Sequence, residues 1–236
     1  MSGPQPSAPG PLSVYYGGTF DPVHNGHLAI ARAARDALGT CIRLMPAADP
    51  PHRARPGADA EQRAAMLELA IADDTGLQVD RRELRRTGRS WSIDTVHELR
   101  AELGDEAPIA LLVGADSFID LPDWKQWREL LQLVHFVVAE RPGNALDKDL
   151  PPALAGAVAG RWAQAPQALF AGPGGSILYL HQPLQPHSAT DLRRRIADGR
   201  PWRQLVPDAV ADYIVGEQLY LGAPSILPTF PPIIGP

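Results

Sequence analysis

Two histidines that follow a glycine turn are the residues of this sequence best suited to do chemistry. His24 and His27 are three positions apart, and Gly17 and Gly18 shortly precede them. On a helix that begins near Pro22, the two imidazoles would lie one turn apart on the same face. Glycines let the main chain approach a ligand closely, and the amino end of a helix attracts anions. The stretch matches neither Walker A nor G-x-G-x-x-G, but it predicts a clamp for a polyphosphate.

A second group of hydroxyls with a guanidinium occurs in the last third of the chain. Ser188 and Thr190 precede a helix candidate, and Arg193 lies in its first turns. Ser and Thr commonly cap helices by accepting hydrogen bonds from free N–H groups. A capped helix start that also carries an arginine is a second site for an anion. Two phosphate sites at opposite ends of the chain favour group transfer over simple binding, because holding two anions in line supplies much of the catalysis.

Alternating strand and helix candidates indicate what must position these residues. Short, continuously apolar strands that alternate with helices are typical of a parallel sheet covered on both faces. The predicted fold class is therefore α/β, a Rossmann-like parallel sheet with helices on both faces and a small C-terminal helical part. Ligands of such sheets bind beyond the carboxyl ends of the strands, where the loop after the first strand would lie. The strand candidates are Val14–Gly17, Cys41–Met45, Leu77–Val79, Ile109–Val113, Phe136–Ala139 and Ile177–Leu180, and the helix candidates are Leu28–Leu38, Ala60–Ala72, Ile93–Leu103, Lys125–Leu131, Leu192–Ala197 and Asp208–Tyr220.

The length of 236 residues suits one α/β domain with additions. Residues 1–11 are rich in Pro, Gly and Ser and are expected to be disordered, and residues 12–222 are expected to form the domain. Within it, 142–175 is expected to be a variable excursion with one helix around Leu154–Trp162. Residues 223–236 form a proline-rich apolar tail.

Composition limits the classes of partner. The formal net charge of −5 argues against a protein whose main partner is nucleic acid. No apolar run approaches the roughly 20 residues that span a bilayer, so no membrane partner is expected. The single cysteine, Cys41, lies in an apolar run and is expected to be a buried strand residue in a reducing compartment. We expect a soluble, cytoplasmic protein that acts on small molecules, and the sequence leaves its oligomeric state open, a homo-oligomer included.

The segment that contains the two histidines also resembles a known family. The run GTFDP at residues 18–22, followed by HNGH at 24–27, resembles the signature of the nucleotidyltransferase superfamily with the H-x-G-H motif. Within it the chain is most similar to the bacterial nicotinate-nucleotide adenylyltransferases, roughly from Val14 to Tyr220. The resemblance implies transfer of the adenylyl group of ATP to nicotinate mononucleotide, with release of pyrophosphate, in NAD biosynthesis. It also implies Mg²⁺ that is carried with ATP, with no strong protein ligands of its own.

The resemblance implies roles residue by residue. The implied catalytic residues are His24, His27 and Arg193. The residues implied to bind ATP are Gly17, Gly18, Thr19, Phe20, Gly26, Gly114, Asp116, Ser188 and Thr190. The residues implied to bind nicotinate mononucleotide are Asp21, Arg53, Trp91, Ser92 and Trp124. Three of them depart from the family pattern. Trp91 replaces a tyrosine and Ser92 a threonine, and both keep its chemistry, whereas Arg53 replaces a lysine and keeps the charge but makes the contact a planar fork.

Other functions stay open on the residues alone. An adenylyltransferase that uses nicotinamide mononucleotide would share the whole pattern. Pantetheine-phosphate adenylyltransferases share both ends, but they are shorter and lack the segment SWSIDT at residues 90–95. A nucleotide-sensing module would need the fold and not the histidines, and an RNA binder acting through Arg81 to Arg89 would need a broad positive face. Taken singly, each histidine or hydroxyl could also be an ordinary core or capping residue.

Overall fold

Seven strands form one parallel sheet in the order β3-β2-β1-β4-β5-β7-β6. The computed structural model describes residues 10–50, 57–139, 150–182 and 188–221. The strands are β1 (Ser13–Gly18), β2 (Ile42–Pro46), β3 (Leu77–Val79), β4 (Ile109–Gly114), β5 (His135–Ala139), β6 (Trp162–Ala163) and β7 (Ile177–Leu180). All but the short β6 correspond to a predicted strand, within one residue at either end.

Helices connect the strands and follow the last of them. The α-helices of the described residues are α1 (Asn25–Leu38), α2 (Ala60–Ile71), α3 (Ser92–Leu103), α4 (Ala115–Ile119), α5 (Trp127–Leu133), α6 (Pro152–Val158), α7 (Ala189–Ala197) and α8 (Asp208–Gly216). The 3₁₀ helices are Arg82–Arg85, Leu121–Asp123, Pro166–Phe170 and Arg203–Leu205. Helices α7 and α8 form the C-terminal helical part that the sequence predicts.

The helices cover both faces of the sheet. Successive residues of a strand point to opposite faces, and neighbouring residues of β1 accordingly enter different cores. Tyr16 packs with residues of α1, α2, α7 and α8, whereas Tyr15 packs with residues of α3, α4, α5 and α6. Leu112 and Leu111 of β4 divide between the two cores in the same way. The predicted α/β class, with helices on both faces, is confirmed.

The strand order reverses between β1 and β4, and this reversal places the candidate site. Both strands run in the same direction, with Tyr16 paired to Leu112. Their carboxyl ends therefore lie side by side, and the connections that leave them diverge to opposite sides of the sheet. A crevice of this kind is where open α/β sheets bind ligands. The loop with His24 and His27 leaves β1 at this point.

Several local predictions need correction. Helix α1 begins at Asn25, three residues before the predicted Leu28 and three after Pro22, and His24 precedes it as the N-cap. The helix predicted around Leu154–Trp162 ends at Val158, because Trp162 instead pairs with β7 at the edge of the sheet. Cys41 is half-buried and precedes β2, so it is not a buried strand residue. Strand β6 and helix α4 were missed because elements of two and five residues are too short to show a periodic pattern.

Some predictions fall outside the described residues. Residues 1–9 of the expected disordered start, 142–149 of the excursion and 222–236 with the apolar tail are among them. The division of the chain into a domain with two terminal segments therefore stays a prediction. Within the described ranges, every helix is too short or too polar to span a lipid bilayer.

A buried histidine lies at the amino end of β5, which is the end of the strands opposite the candidate site. His135 opens β5 and is 1% exposed. Its Nδ1 accepts a hydrogen bond from the backbone N–H of Ser176 (3.1 Å), and its Nε2 lies 2.8 Å from the carbonyl oxygen of Gly172. An imidazole that accepts at Nδ1 and donates at Nε2 is neutral. Burial lowers the pKa of His135, although its two backbone hydrogen bonds partly oppose that effect.

This histidine predicts a loss of stability in mild acid. The unfolded chain binds a proton at His135 more readily than the folded one, so acidification through about pH 6.5 should lower the free energy of unfolding. In His135→Gln the protein should be less stable than wild type at pH 8 and should lose less stability on acidification. Chemical denaturation at a series of pH values measures the free energy of unfolding of each protein as a function of pH. An equal dependence on pH in the two proteins would contradict the prediction.

Candidate active site

The two histidines after β1 form a stacked pair held by the start of α1. His24 is the N-cap of α1, and its Nδ1 accepts a hydrogen bond from the backbone N–H of Gly26 (3.1 Å). The Nδ1 of His27 accepts one from the backbone N–H of His24 (3.3 Å), and the rings stack with their centroids 3.8 Å apart. Since Nδ1 of each ring accepts, the network assigns the hydrogen of each neutral imidazole to Nε2. Each ring is therefore a hydrogen-bond donor at Nε2.

An aromatic ring supports this pair from the core. Phe20 is 2% exposed, and its ring lies edge-on to His27 with centroids 5.0 Å apart. Its φ of 50° turns the chain back beneath the glycines. A Cβ at Gly18 would lie 3.0 Å from the Phe20 ring, so only glycine fits there without displacing the ring. Phe20, expected to bind ATP, thus packs against Gly18 within residues 17–24, a stretch that we call the phosphate loop after its predicted role. Gly17 is exposed at the end of β1.

The second predicted anion site meets the first at Asp21. Ser188 caps α7, because its Oγ accepts a hydrogen bond from the backbone N–H of Asp191 (3.2 Å). Arg193 on α7 donates through Nη1 to the carbonyl oxygen of Asp21 (2.6 Å) and through Nη2 to Oγ1 of Thr190 (3.5 Å). Residues 172 positions apart in the sequence therefore touch. The loop with the histidines and the helix with the arginine belong to one site.

The carboxylate of Asp21 lies behind this junction and not in open solvent. It is 4% exposed, and it accepts hydrogen bonds from the backbone N–H groups of Gly57 (2.8 Å) and Ala58 (3.1 Å). The hydroxyl of Tyr220 donates to the same carboxylate (2.8 Å). Burial, together with the nearby Asp21, raises the pKa of Tyr220 and keeps it a donor. Asp21 thus joins the phosphate loop to the chain before α2 and to the segment after α8.

Arg63 is a buried charge that the sequence analysis missed. It is 1% exposed on α2 and donates hydrogen bonds to the carbonyl oxygens of Thr19 (2.6 Å) and Ala48 (3.2 Å). These oxygens belong to the loops that follow β1 and β2, so Arg63 holds the two loops together. Burial lowers the pKa of Arg63, and the nearby carboxylates of Asp21 and Asp59 oppose that effect. One signal was present, since an arginine at helical spacing from buried Met66 faces the core.

The residues predicted for the mononucleotide gather at the start of α3. Trp91 precedes α3 and Ser92 is its first residue, so the free N–H groups of this helix lie beside both. Lys125 donates from Nζ to Asp94 of α3 (3.0 Å), and the same Nζ lies 5.9 Å from the centre of the Trp91 ring. Trp124, which precedes Lys125, is half-buried and packs on the same core as Trp91. The structure thus brings Lys125, the neighbour of Trp124, to the end of α3 that carries Trp91 and Ser92.

A buried serine joins this region to the loop after β2. The Oγ of Ser90 accepts a hydrogen bond from the backbone N–H of Ala48 (3.0 Å), and its own N–H donates to the carbonyl oxygen of Asp49 (2.9 Å). In the same segment, Thr95 donates to buried Glu83 (2.6 Å). Burial raises the pKa of Glu83, and the hydrogen bond from Thr95 opposes that effect. The loop after β2 therefore lies between the phosphate loop and the start of α3.

The end of β4 supplies the last predicted residues. Gly114 ends β4 and precedes α4, and Asp116 lies in the first turn of α4. Because β4 is the neighbour of β1, both residues lie beside the glycines of the phosphate loop. Arg53, the remaining residue predicted for the mononucleotide, lies outside the described residues. All the other predicted site residues lie at or beside the carboxyl edge of the sheet.

Comparison with known proteins identifies the family of this chain. Residues 15–195 match the family model described as cytidylyltransferase-like. A protein of Stenotrophomonas maltophilia (strain K279a), named "Probable nicotinate-nucleotide adenylyltransferase", is 57% identical over 214 residues, which are 89% of this chain and 96% of that protein. The chain belongs to the nicotinate-nucleotide adenylyltransferase family. A member from Xylella fastidiosa (strain 9a5c), with the same printed name, is 46% identical over 89% of this chain and 96% of its own length.

Solved structures of adenylyltransferases share the fold. The Plasmodium falciparum nicotinic acid mononucleotide adenylyltransferase complexed with NaAD superposes with a TM-score of 0.67 at 14% identity, over 89% of this chain and 97% of that one. The same enzyme complexed with APC gives a TM-score of 0.63 over 89% and 98% of the two chains. The family expected from the H-x-G-H motif is confirmed. In this nicotinate-nucleotide adenylyltransferase family member, two imidazole donors and a guanidinium converge where the strand order reverses, an arrangement that can stabilise negative charge on a polyphosphate.

Proposed function

We propose that the protein transfers the adenylyl group of ATP to nicotinate mononucleotide, giving nicotinate adenine dinucleotide and pyrophosphate, in NAD biosynthesis. The observation that carries the proposal is the contact between Arg193 and Asp21 of the phosphate loop, which joins the two segments predicted to bind anions. Membership of the nicotinate-nucleotide adenylyltransferase family supports the choice of substrates. The substrates are small molecules, and the cytoplasmic location remains a prediction.

Each end of the triphosphate has its own group of residues. The Nε2–H groups of His24 and His27 donate to oxygens on the α-phosphate and on the bridge to the β-phosphate. The amino end of α1 adds a favourable dipole at the same place. Ser188, Thr190 and Arg193 hold the β- and γ-phosphates, and the arginine offers a planar fork of donors. Gly17, Gly18, Thr19, Gly26 and Gly114 supply close main-chain approach, Phe20 supports the loop, and Asp116 accepts from the ribose hydroxyls of the adenylyl group.

Transfer then needs positioning and charge stabilisation, without a covalent enzyme intermediate. A 5′-phosphate oxygen of nicotinate mononucleotide attacks the α-phosphorus in line. The new P–O bond forms as the bond from the α-phosphorus to the bridging oxygen breaks, and both electrons of the broken bond leave with pyrophosphate. A phosphate monoester is mostly deprotonated near neutral pH, so the histidines need not act as general bases.

Mg²⁺ enters with ATP and is part of that substrate. It supplies charge neutralisation on the triphosphate oxygens. The carboxylate of Asp21 already accepts hydrogen bonds from Gly57, Ala58 and Tyr220. We therefore expect the triphosphate and water to be the main ligands of the ion.

The acceptor pocket lies at the start of α3. Trp124 stacks on the pyridine ring, with Trp91 as a second aromatic wall. Ser92 and the free backbone N–H groups of α3 bind the nicotinate carboxylate, since the amino end of a helix favours a negative group. Arg53 binds the acceptor phosphate. Asp21 is predicted for the same substrate. From its buried position it acts by holding the phosphate loop in place.

A pyrophosphate-release assay tests the proposed function. ATP is supplied with nicotinate mononucleotide, nicotinamide mononucleotide or phosphopantetheine in parallel. We expect the nicotinate form to have a kcat/KM at least about tenfold above that of the nicotinamide form, because backbone N–H groups bind a carboxylate more strongly than an amide. A ratio near one would show dual specificity. Turnover with phosphopantetheine alone would overturn the proposal.

Replacing Trp124 tests the acceptor pocket. In Trp124→Ala the KM for nicotinate mononucleotide should rise about fivefold to tenfold, because an aromatic stacking contact contributes on the order of 1 kcal/mol. The KM for ATP should stay close to the wild-type value. In Trp124→Phe, which keeps an aromatic face, most of the affinity should remain. Steady-state kinetics with each substrate varied in turn makes the measurement, and equal changes in both KM values would remove Trp124 from the pocket.

A further inference from the structure

One tyrosine joins the segment after α8 to the phosphate loop. The hydroxyl of Tyr220 donates to Oδ1 of Asp21 (2.8 Å) across 199 positions of sequence. Its ring covers Gly57, where a Cβ would lie 2.9 Å from the ring carbons. The backbone of Tyr220 has a φ of 62°, a left-handed conformation that non-glycine residues seldom adopt. The sequence predicts a helix over Asp208–Tyr220, but α8 ends at Gly216, so Tyr220 lies beyond it.

Asp21 in turn contacts the guanidinium of Arg193 at two places. Nη1 of Arg193 lies 2.6 Å from the carbonyl oxygen of Asp21 and 3.5 Å from Oδ2 of its carboxylate. The shorter contact is the hydrogen bond to the neutral carbonyl oxygen, and the distance to the charged carboxylate is longer. The carboxylate is occupied elsewhere, since the N–H groups of Gly57 and Ala58 and the hydroxyl of Tyr220 all donate to it.

We propose that Tyr220 is a positioning residue for Arg193. Its hydroxyl satisfies Oδ1 of Asp21, so that the carboxylate does not draw the guanidinium into a close ion pair. Arg193 then keeps donors available for the β- and γ-phosphates of ATP. Without the hydroxyl, Oδ1 would keep only the N–H of Ala58 as a donor in a buried place, and the carboxylate would compete more strongly with the triphosphate for the same arginine. This inference rests on the proposed function, which assigns Arg193 to ATP.

Removal of one hydroxyl tests the role, with a matched control on α8. In Tyr220→Phe the ring over Gly57 remains, and kcat/KM for ATP should fall about tenfold, the size expected for one hydrogen bond to a charged group. The KM for nicotinate mononucleotide should stay within about twofold of wild type. Tyr213→Phe removes a hydroxyl from a half-buried tyrosine of α8 that does not donate to Asp21, and it should match wild type. Equal losses for both substrates, or none, would overturn the inference.

A double-mutant cycle separates positioning from a general structural effect. If Tyr220 acts through Arg193, Tyr220→Phe should cost less than about twofold when it is added to Arg193→Lys, because contacting residues are not additive. A full additional tenfold loss would overturn the inference. Thermal unfolding of each variant shows whether the fold is kept.

The same variants distinguish this inference from the proposed function. If wild-type protein releases no pyrophosphate from ATP and nicotinate mononucleotide, the proposed function fails. Equilibrium binding of ATP to wild type, Tyr220→Phe and Tyr213→Phe then tests the network by itself. Weaker binding in Tyr220→Phe alone would support the link from Tyr220 to Arg193, and equal binding in all three would overturn it.

Discussion

Replacing His27 with alanine should lower kcat by about three orders of magnitude, because it removes a donor aimed at charge that develops in the transition state. The structure gives this imidazole a defined tautomer. Its Nδ1 accepts from the backbone N–H of His24, so Nε2 carries the hydrogen. Phe20 and the stacked ring of His24 fix the orientation of the side chain. A donor held in place before the reaction costs little reorganisation during it.

The measurement is kcat for pyrophosphate release at saturating ATP and nicotinate mononucleotide. His97→Ala is the matched control, since His97 is an exposed histidine of α3 that pairs with Glu129 (3.2 Å) and should not affect turnover. Circular dichroism and thermal unfolding should show a native fold for both variants. A kcat for His27→Ala close to wild type would remove His27 from the catalytic residues.

Replacing Arg193 with alanine should lower kcat/KM for ATP by about a hundredfold to a thousandfold, because a bidentate cation on the leaving pyrophosphate is lost. The fold should survive, since the Asp21 carboxylate keeps the donors on Gly57, Ala58 and Tyr220. The KM for nicotinate mononucleotide should change much less. This asymmetry follows from the position of α7, which approaches the phosphate loop and not the start of α3.

The neighbouring arginine on the same helix provides the comparison. Arg194→Ala removes an equal charge from an exposed position on α7 and should leave kcat/KM for ATP near wild type. Steady-state kinetics with ATP varied measures both proteins. If the two variants lose activity equally, the effect is one of net charge, and Arg193 has no specific contact with ATP.

The histidines and the capped helix could be predicted because their structure is local. A strand, two glycines and a helix start follow one another within residues 13–27, and the capping bonds of His24 and His27 span two and three positions. The cap at Ser188 spans three positions as well. Interactions between residues this close depend on backbone preferences and side-chain chemistry that can be read directly from the order of residues.

The buried positioning residues could not be predicted in the same way. Arg63 gave only a weak signal, an arginine on the apolar face of α2, and the carbonyl oxygen of Thr19 lies 44 positions away from it in sequence. The sequence assigned Asp21 to the mononucleotide, whereas its carboxylate is buried among backbone donors and Tyr220. Nothing in the residues around Asp21 indicates that a tyrosine near the C-terminus will reach it.

Local chemistry thus predicted which residues bind phosphate, and it indicated which helix starts they precede and which family the chain resembles. Which of those parts of the chain lie together was decided by the parallel sheet, whose order brings the ends of β1 and β4 side by side. The contact between Arg193 and Asp21 spans 172 positions, and that between Tyr220 and Asp21 spans 199. Contacts at such separations depend on how two apolar cores pack against the sheet, because no backbone preference extends beyond a few residues.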